Sequence, residues 1–269
     1  ILKNRGYYVQ GSDRAESPFT ERLKELGVPV FIGHDAKNIG DCDLIIFSAA
    51  IKSDNVERAE AKRRGIPELE RSEALGQLTE GYESVVGIAG CHGKTTITSM
   101  LALICEQGGP DATVHIGGFV DFLNGGVRLG AHDMFITEAC EYVESFLTLR
   151  PTIALINNID NDHLDYYGDM EHIVAAFKKF AALLPENGLL IGNTDDFRVR
   201  ALMAEHTGRK LSYGMKDADY TPANINYDDN GCPGFDIMFR GEKLMHIQLR
   251  IPGEHSVMNA IAAAAVARE

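Results

Sequence analysis

Two hydrophobic rhythms alternate along the chain. Short apolar runs end at Gly, Ser, Asp or Asn, as buried parallel strands do. Between them apolar residues recur every three or four positions, as on the inward stripe of a helix. Tyr7-Tyr8-Val9-Gln10 reads as a strand that stops at Gly11-Ser12-Asp13. Phe19, Leu23 and Leu26 share one helical face, with Gly27 as its stop. Residues 28–32 and 43–48 predict further strands, and residues 56–64 a charged helix. The rhythm restarts with a strand over 84–89, a glycine-containing turn, and a helix over 95–107. Strands are expected at 134–137, 152–157 and 188–192, and helices at 170–184 and 197–206. Asp228-Asp229-Asn230-Gly231 predicts a hairpin turn between strands over 224–227 and 235–240. This alternation predicts an α/β protein in two domains. Residues 1–82 form a partial Rossmann-like N-terminal domain, and residues 83–269 a P-loop-type central domain with a mostly parallel sheet.

Composition narrows the field. Of 269 residues, 45% are hydrophobic and 24% charged, an ordinary globular mixture that excludes disordered, collagen-like and disulfide-scaffold classes. No apolar run approaches the roughly 18–20 residues of a membrane span, and no signal peptide opens the chain. The 26 basic residues face 39 acidic ones, a net charge of −13, which argues against nucleic-acid or anionic-membrane binding. Phosphate binding in such a chain needs local amides, a few placed cations and metal ions. The five cysteines are odd in number and form no CxxC pair, so reduced thiols in a cytoplasmic protein are expected. The chain opens at Ile1 and stops at Glu269 inside an Ala-rich helical pattern, and it is read as a piece of a longer protein.

The strongest chemical signal is Gly90-Cys91-His92-Gly93-Lys94-Thr95-Thr96, between an apolar strand and a helix. Glycines there let the backbone turn its N–H groups toward an anion, and the helix N-terminus adds positive potential. Lys94 can reach β- and γ-phosphates, and the Thr95 hydroxyl can reach Mg²⁺. The strict motif separates its glycines by four residues, whereas only two lie between Gly90 and Gly93. A solvent-exposed strand-to-helix turn is the plain alternative.

Other candidates also follow strands, at the sheet edge where ligands collect. Glu138 closes one strand and suits a metal, or is a solvated carboxylate. The run from Asn157 to Asp165 closes another and contains His163, a metal ligand or base, or else supplies a helix cap. Asp13 could bind ribose hydroxyls. His255 and Asn259 share a helical face if a helix starts near Glu254; spacing alone favours ordinary capping and surface polarity there.

Together these blocks resemble the Mur ligases, ATP-dependent enzymes that build the peptide of peptidoglycan. The resemblance runs through GSD at Gly11, FIGHDA at Phe31, SAAI at Ser48, GCHGKTT at Gly90, IGG at Ile116, EACE at Glu138, NNIDNDHLDYYG at Asn157 and PGEHSVMNAIAA at Pro252. It implies ATP bound by Gly90, Cys91, His92, Gly93, Lys94, Thr95 and Thr96, with Asn158 and Asn259 near the adenine. It implies Mg²⁺ on Thr95, Glu138 and His163, with Lys94, Glu138 and His163 catalytic. Ser12, Asp13, Ser48, His92 and Arg128 are expected at the sugar-nucleotide substrate. Cys91 stands where the family usually has threonine, and the usual EADESD block reads Glu138-Ala139-Cys140-Glu141-Tyr142-Val143. The expected reaction joins L-alanine to UDP-N-acetylmuramate through an acyl phosphate. A recycling ligase that joins a whole peptide, or a non-catalytic nucleotide-binding module, are the alternatives. Without the family's carboxy-terminal domain, this length of chain is expected to bind ATP but not to ligate.

Overall fold

The computed structural model describes residues 1–131 and 133–269. In the N-terminal part, β1 (Gly11–Asp13) pairs in parallel with β2 (Val30–Ile32), and β3 (Ile45–Phe47) in parallel with β4 (Glu68–Glu70). Three helices accompany them: α1 (Pro18–Glu25), α2 (Val56–Arg64) and α3 (Arg71–Thr79). The start of α1 is specified locally. Ser17 accepts from the Thr20 amide in a reciprocal capping box, and Pro18 follows, its missing N–H costing nothing there. Gly27, at φ 69°, supplies the left-handed turn after the helix. The strand expected over residues 7–10 falls instead at Gly11–Asp13. Tyr7 and Tyr8 stand 63% and 82% exposed, and the ladder begins only at Gly11, opposite Val30.

The rest of the chain forms one ten-stranded sheet. Its strands are β5 (Ser84–Ala89), β6 (Thr113–Val120), β7 (Gly125–Arg128), β8 (Met134–Glu138), β9 (Ile153–Ile156), β10 (Leu189–Asn193), β11 (Arg209–Tyr213), β12 (Tyr220–Tyr227), β13 (Pro233–Phe239) and β14 (Glu242–Gln248). The order is β14-β13-β12-β11-β10-β9-β5-β8-β6-β7. From β6 to β12 every neighbouring pair is parallel; β7, β13 and β14 add antiparallel edges. The expected hairpin joins β12 and β13. The helices are α4 (Lys94–Glu106), α5 (Leu164–Tyr167), α6 (Met170–Ala181), α7 (Phe197–Glu205) and α8 (Glu254–Arg268).

Side chains alternate across a strand, so each central strand feeds two cores. Ile88, Leu155 and Ile191 pack with Ile97 and Leu101 of α4 and Val257 and Ile261 of α8. Ala89, Ile156 and Leu190 face the opposite layer, with Phe177 and Phe180 of α6 and Leu202 of α7. The small residues of α8, from Ala260 to Ala265, let that helix lie close on the sheet.

The two parts of the chain meet along α3. The Thr148 hydroxyl donates to the Ser72 carbonyl at 2.8 Å. A Cβ on Gly76 would lie 2.3 Å from the Thr148 carbonyl oxygen, so glycine is what permits the close approach. A cavity of about 960 Å³ lies between the parts. Among the described residues no helix is long and apolar enough to cross a membrane.

Candidate functional site

The loop after β5 leaves the middle of the parallel sheet and enters α4. Gly93 is its pivot, at φ 86°. A Cβ there would lie 2.5 Å from Asn157 Nδ2 and 2.8 Å from Asn259 Oδ1, so only glycine fits. No side chain caps the N-terminus of α4. Its first N–H groups therefore face outward with the positive end of the helix dipole, a ready anion seat.

Polar residues from two other elements hold the loop. Asn158 Oδ1 accepts from the His92 amide at 2.8 Å, and its Nδ2 donates to the His92 carbonyl at 3.0 Å. The buried Asn157 donates to the same carbonyl at 2.9 Å and accepts from the Tyr213 hydroxyl at 2.6 Å. Its Nδ2 lies 3.4 Å from Asn259 Oδ1 on α8. Asn158 and Asn259 thus do reach the loop, and in this structure both contact protein atoms there. Asn157 was not singled out in the sequence, because a buried asparagine after an apolar strand looks the same as a cap. The buried Cys91 thiol, pushed up to about 11 by burial, donates to the Asp160 carbonyl at 3.4 Å. It stays protonated at neutral pH and anchors the loop instead of acting as a nucleophile.

Lys94 does not point into open space. Its ammonium donates to the carbonyls of Gly90 and Cys91 and to both oxygens of Glu141, at 3.0 and 2.8 Å. Glu141 is only 1% exposed, and the Tyr167 hydroxyl donates to its carbonyl. His163 Nε2 lies 3.9 Å from Glu141 Oε1, and its ring packs on Tyr142 with centroids 4.6 Å apart. Single ligand atoms of Glu141, Asp162 and His163 lie within 4.8 Å of one another. Glu138, expected with His163 near Thr95, accepts from the Gly117 amide at 3.0 Å. It shares the interdomain cavity wall with Lys94, Thr95 and His115. Burial pushes the His115 imidazole down to about 4, with the Arg71 charge adding to the effect.

The remaining expected residues are more scattered. His92 is 68% exposed, 3.7 Å from Asp160. Thr96 lies in the first turn of α4. In the N-terminal domain Asp13 ends β1 and Ser48 follows β3, both at carboxyl ends of strands. The Ser12 hydroxyl is engaged with Glu57 at 2.6 Å and lies 3.3 Å from His34 Nδ1. Arg128 is not brought to the site. Strand alternation sends Val127 and Leu129 to the cavity, while the Arg128 guanidinium pairs with Glu106 at 2.6 Å and Asp111 at 2.8 Å. It braces β7 against the end of α4.

An uncapped helix N-terminus after the central strand, a loop lysine, and carboxylates at neighbouring strand ends define a P-loop-type α/β protein. The chain belongs to the Mur ligase family. Residues 88–267 match the Mur ligase middle domain, and residues 1–83 match the domain described as Mur ligase family, catalytic domain. It is 45% identical over 266 residues to a UDP-N-acetylmuramate–L-alanine ligase of Alkaliphilus metalliredigens, a match covering 98% of this chain and 58% of that relative. The same-named ligase of Clostridium beijerinckii is 44% identical over 267 residues, covering 99% and 58%. The chain thus spans little more than half the length of these relatives. Among solved structures it is similar to a UDP-N-acetylmuramate:L-alanyl-γ-D-glutamyl-meso-diaminopimelate ligase from Neisseria meningitidis, with TM-score 0.87 and 26% identity, over 100% of this chain and 87% of that one. It is also similar to the UDP-N-acetylmuramate-alanine ligase of Thermotoga maritima, with TM-score 0.85 and 27% identity, over 98% of this chain and 60% of that one.

Proposed function

We propose that the chain is the nucleotide-binding part of an ATP-dependent ligase that joins L-alanine to UDP-N-acetylmuramate. The observation that carries this reading is the uncapped start of α4 with Lys94 and Thr95 on the wall of a cavity of about 960 Å³ between the two domains. That volume suits a sizeable ligand. The phosphates of ATP lie at the α4 N-terminus, and the sugar nucleotide enters from the N-terminal domain, near Ser12, Asp13 and Ser48. The γ-phosphate passes to the carboxylate of UDP-N-acetylmuramate, releasing ADP. The amine of L-alanine then attacks the acyl phosphate, forming the amide and releasing phosphate.

Phosphoryl transfer asks the protein for alignment and charge neutralisation. The α4 amides and Lys94 supply both. The oxygens of Thr95, Glu138, Glu141 and Asp162 are hard donors that suit Mg²⁺, and the His163 imidazole lies with Glu141 and Asp162. Magnesium held there supplies further charge neutralisation on the phosphates.

The names of the relatives favour L-alanine as acceptor, and the structural likeness to the peptide ligase keeps a whole peptide as the second reading. The test is calorimetry of the chain with ATP, ADP and UDP-N-acetylmuramate. Ligation assays follow, with L-alanine and L-alanyl-γ-D-glutamyl-meso-diaminopimelate as competing acceptors, on the chain and on a form extended by the region its relatives carry. No nucleotide binding at millimolar concentration would remove the proposal; preference for the peptide would select the second reading.

A further inference from the structure

Lys94 has no hydrogen-bond donor to spare. An ammonium has three N–H groups. Here the Gly90 carbonyl and the two Glu141 oxygens occupy them, with the Cys91 carbonyl a more distant acceptor at 3.4 Å. A phosphate oxygen cannot gain a Lys94 hydrogen bond unless one of these lets go. Glu141 is the one an incoming anion repels, since its carboxylate is the only negative group bonded to that ammonium among the described residues.

We infer that Glu141 is a built-in counter-ion for Lys94 which nucleotide phosphate displaces, the loop lysine exchanging carboxylate for phosphate as the site fills. This rests on the nucleotide-binding reading above. Empty, the pair satisfies two charges that would otherwise be costly to bury. It also holds the ammonium against the loop, already aimed at the anion seat. Filled, the carboxylate still has His163 Nε2 nearby, 3.9 Å from Oε1. The chain just beyond is under tension. Val143 and Glu144 both hold left-handed backbone, at φ 55° and 54°, which a β-branched residue resists. A shift of the Glu141 side chain therefore has a strained segment beside it that can yield. Glu141 is a positioning residue in this account, setting the strength of nucleotide binding through Lys94.

The direction of the effect distinguishes this role from a merely structural one. Glu141→Gln keeps the shape and one acceptor for Lys94 but removes the charge. ADP binding to the 269-residue chain is measured by calorimetry in EDTA and again with Mg²⁺. The expected result in EDTA is tighter binding by Glu141→Gln, on the order of tenfold, the scale of one charge-assisted hydrogen bond. In a Lys94→Gln background the same substitution should give a much smaller gain. Glu141→Asp, which keeps the charge but shortens its reach, should give a smaller tightening, and serves if the glutamine variant does not fold. Unchanged or weaker ADP binding in the folded Glu141→Gln chain would overturn the inference, as would a gain undiminished by Lys94→Gln. If the Glu141→Asp variant has to serve, no tightening would overturn it equally. A wild-type chain that binds no nucleotide in either buffer removes the functional reading and this inference with it.

Discussion

Gly93→Ala tests how the loop is held. Gly93 sits at φ 86°, where an L-residue costs about 1–2 kcal/mol. The new methyl would also lie 2.5 Å from Asn157 Nδ2 and 2.8 Å from Asn259 Oδ1, well inside ordinary contact. Neither amide can retreat freely. Asn157 is fixed by the Tyr213 hydroxyl at 2.6 Å and the His92 carbonyl at 2.9 Å, and Asn259 is buried on α8. Moving either one loosens a buried hydrogen bond, adding about 1–3 kcal/mol. The total is about 2–5 kcal/mol, against the 5–15 kcal/mol or so that typically holds a domain together. For a domain of this size that corresponds to roughly 5–15 °C in Tm. ADP affinity should fall with it, because the anion seat begins at this residue. The assays are thermal and urea denaturation and calorimetry. Gly81→Ala, with nothing within 4 Å of its added Cβ, is the control and should be near neutral. If Gly93→Ala is as stable as Gly81→Ala and binds ADP equally well, the close approach of Asn157 and Asn259 does not hold the loop.

Tyr213→Phe leaves the Asn157 acceptor without its buried donor, and urea denaturation should show a loss of about 1–2 kcal/mol. His115 is held near 4 when folded and returns to its ordinary 6.5 when unfolded, so the unfolded chain takes up more protons between those values. Its contribution is complete above the unfolded value and is lost as pH falls through the window, by up to about 3 kcal/mol; a His115→Gln variant with the same slope of stability against pH would refute this. Arg128→Ala should lower stability by about 1–3 kcal/mol through its half-buried pairs with Glu106 and Asp111. Its affinity for ADP and UDP-N-acetylmuramate should not change, and a drop in either affinity would put Arg128 at the substrate after all.

The central architecture was legible because its strands are buried on both faces. Residues 84–89 and 56–64 were read with the bounds the structure shows, since an unbroken apolar run or a glycine-stopped helix carries its own ends. Strands with little burial left weaker marks. All of β4, Glu68–Glu70, is half-buried and two-thirds acidic, and β14 is mostly exposed, so neither shows an apolar period. The helix α3 was missed for a related reason: Ala74, Gly76 and Thr79 are its buried positions, small residues that make little hydrophobic contrast. The smallness of Gly76 matters against Thr148, far away in sequence.

The site was legible to the same depth. A strand, a glycine turn and a lysine are local, so the loop could be found by reading along the chain. Partnership across the sheet is not local. Glu138 drew attention because it closes an apolar strand, and Glu141 sits three residues on in a segment with no regular period. The fold reverses their apparent ranks around Lys94. After β8 the chain turns so that Glu141 is drawn beneath the loop and buried, while Glu138 stays at the strand end and takes the Gly117 amide from β6. A carboxylate at 1% exposure survives only because an ammonium meets it. Its burial is thus itself a consequence of Lys94, and no pattern of hydrophobic and polar positions could have shown it. Nor does the pairing settle into a permanent brace, as it does for Arg128: the same ammonium lies at the mouth of a helix whose free amides attract anions, so a second anion competes for it. The sequence marks the glycine loop and its lysine, and the packing of β8 against β5 determines which carboxylate meets that lysine.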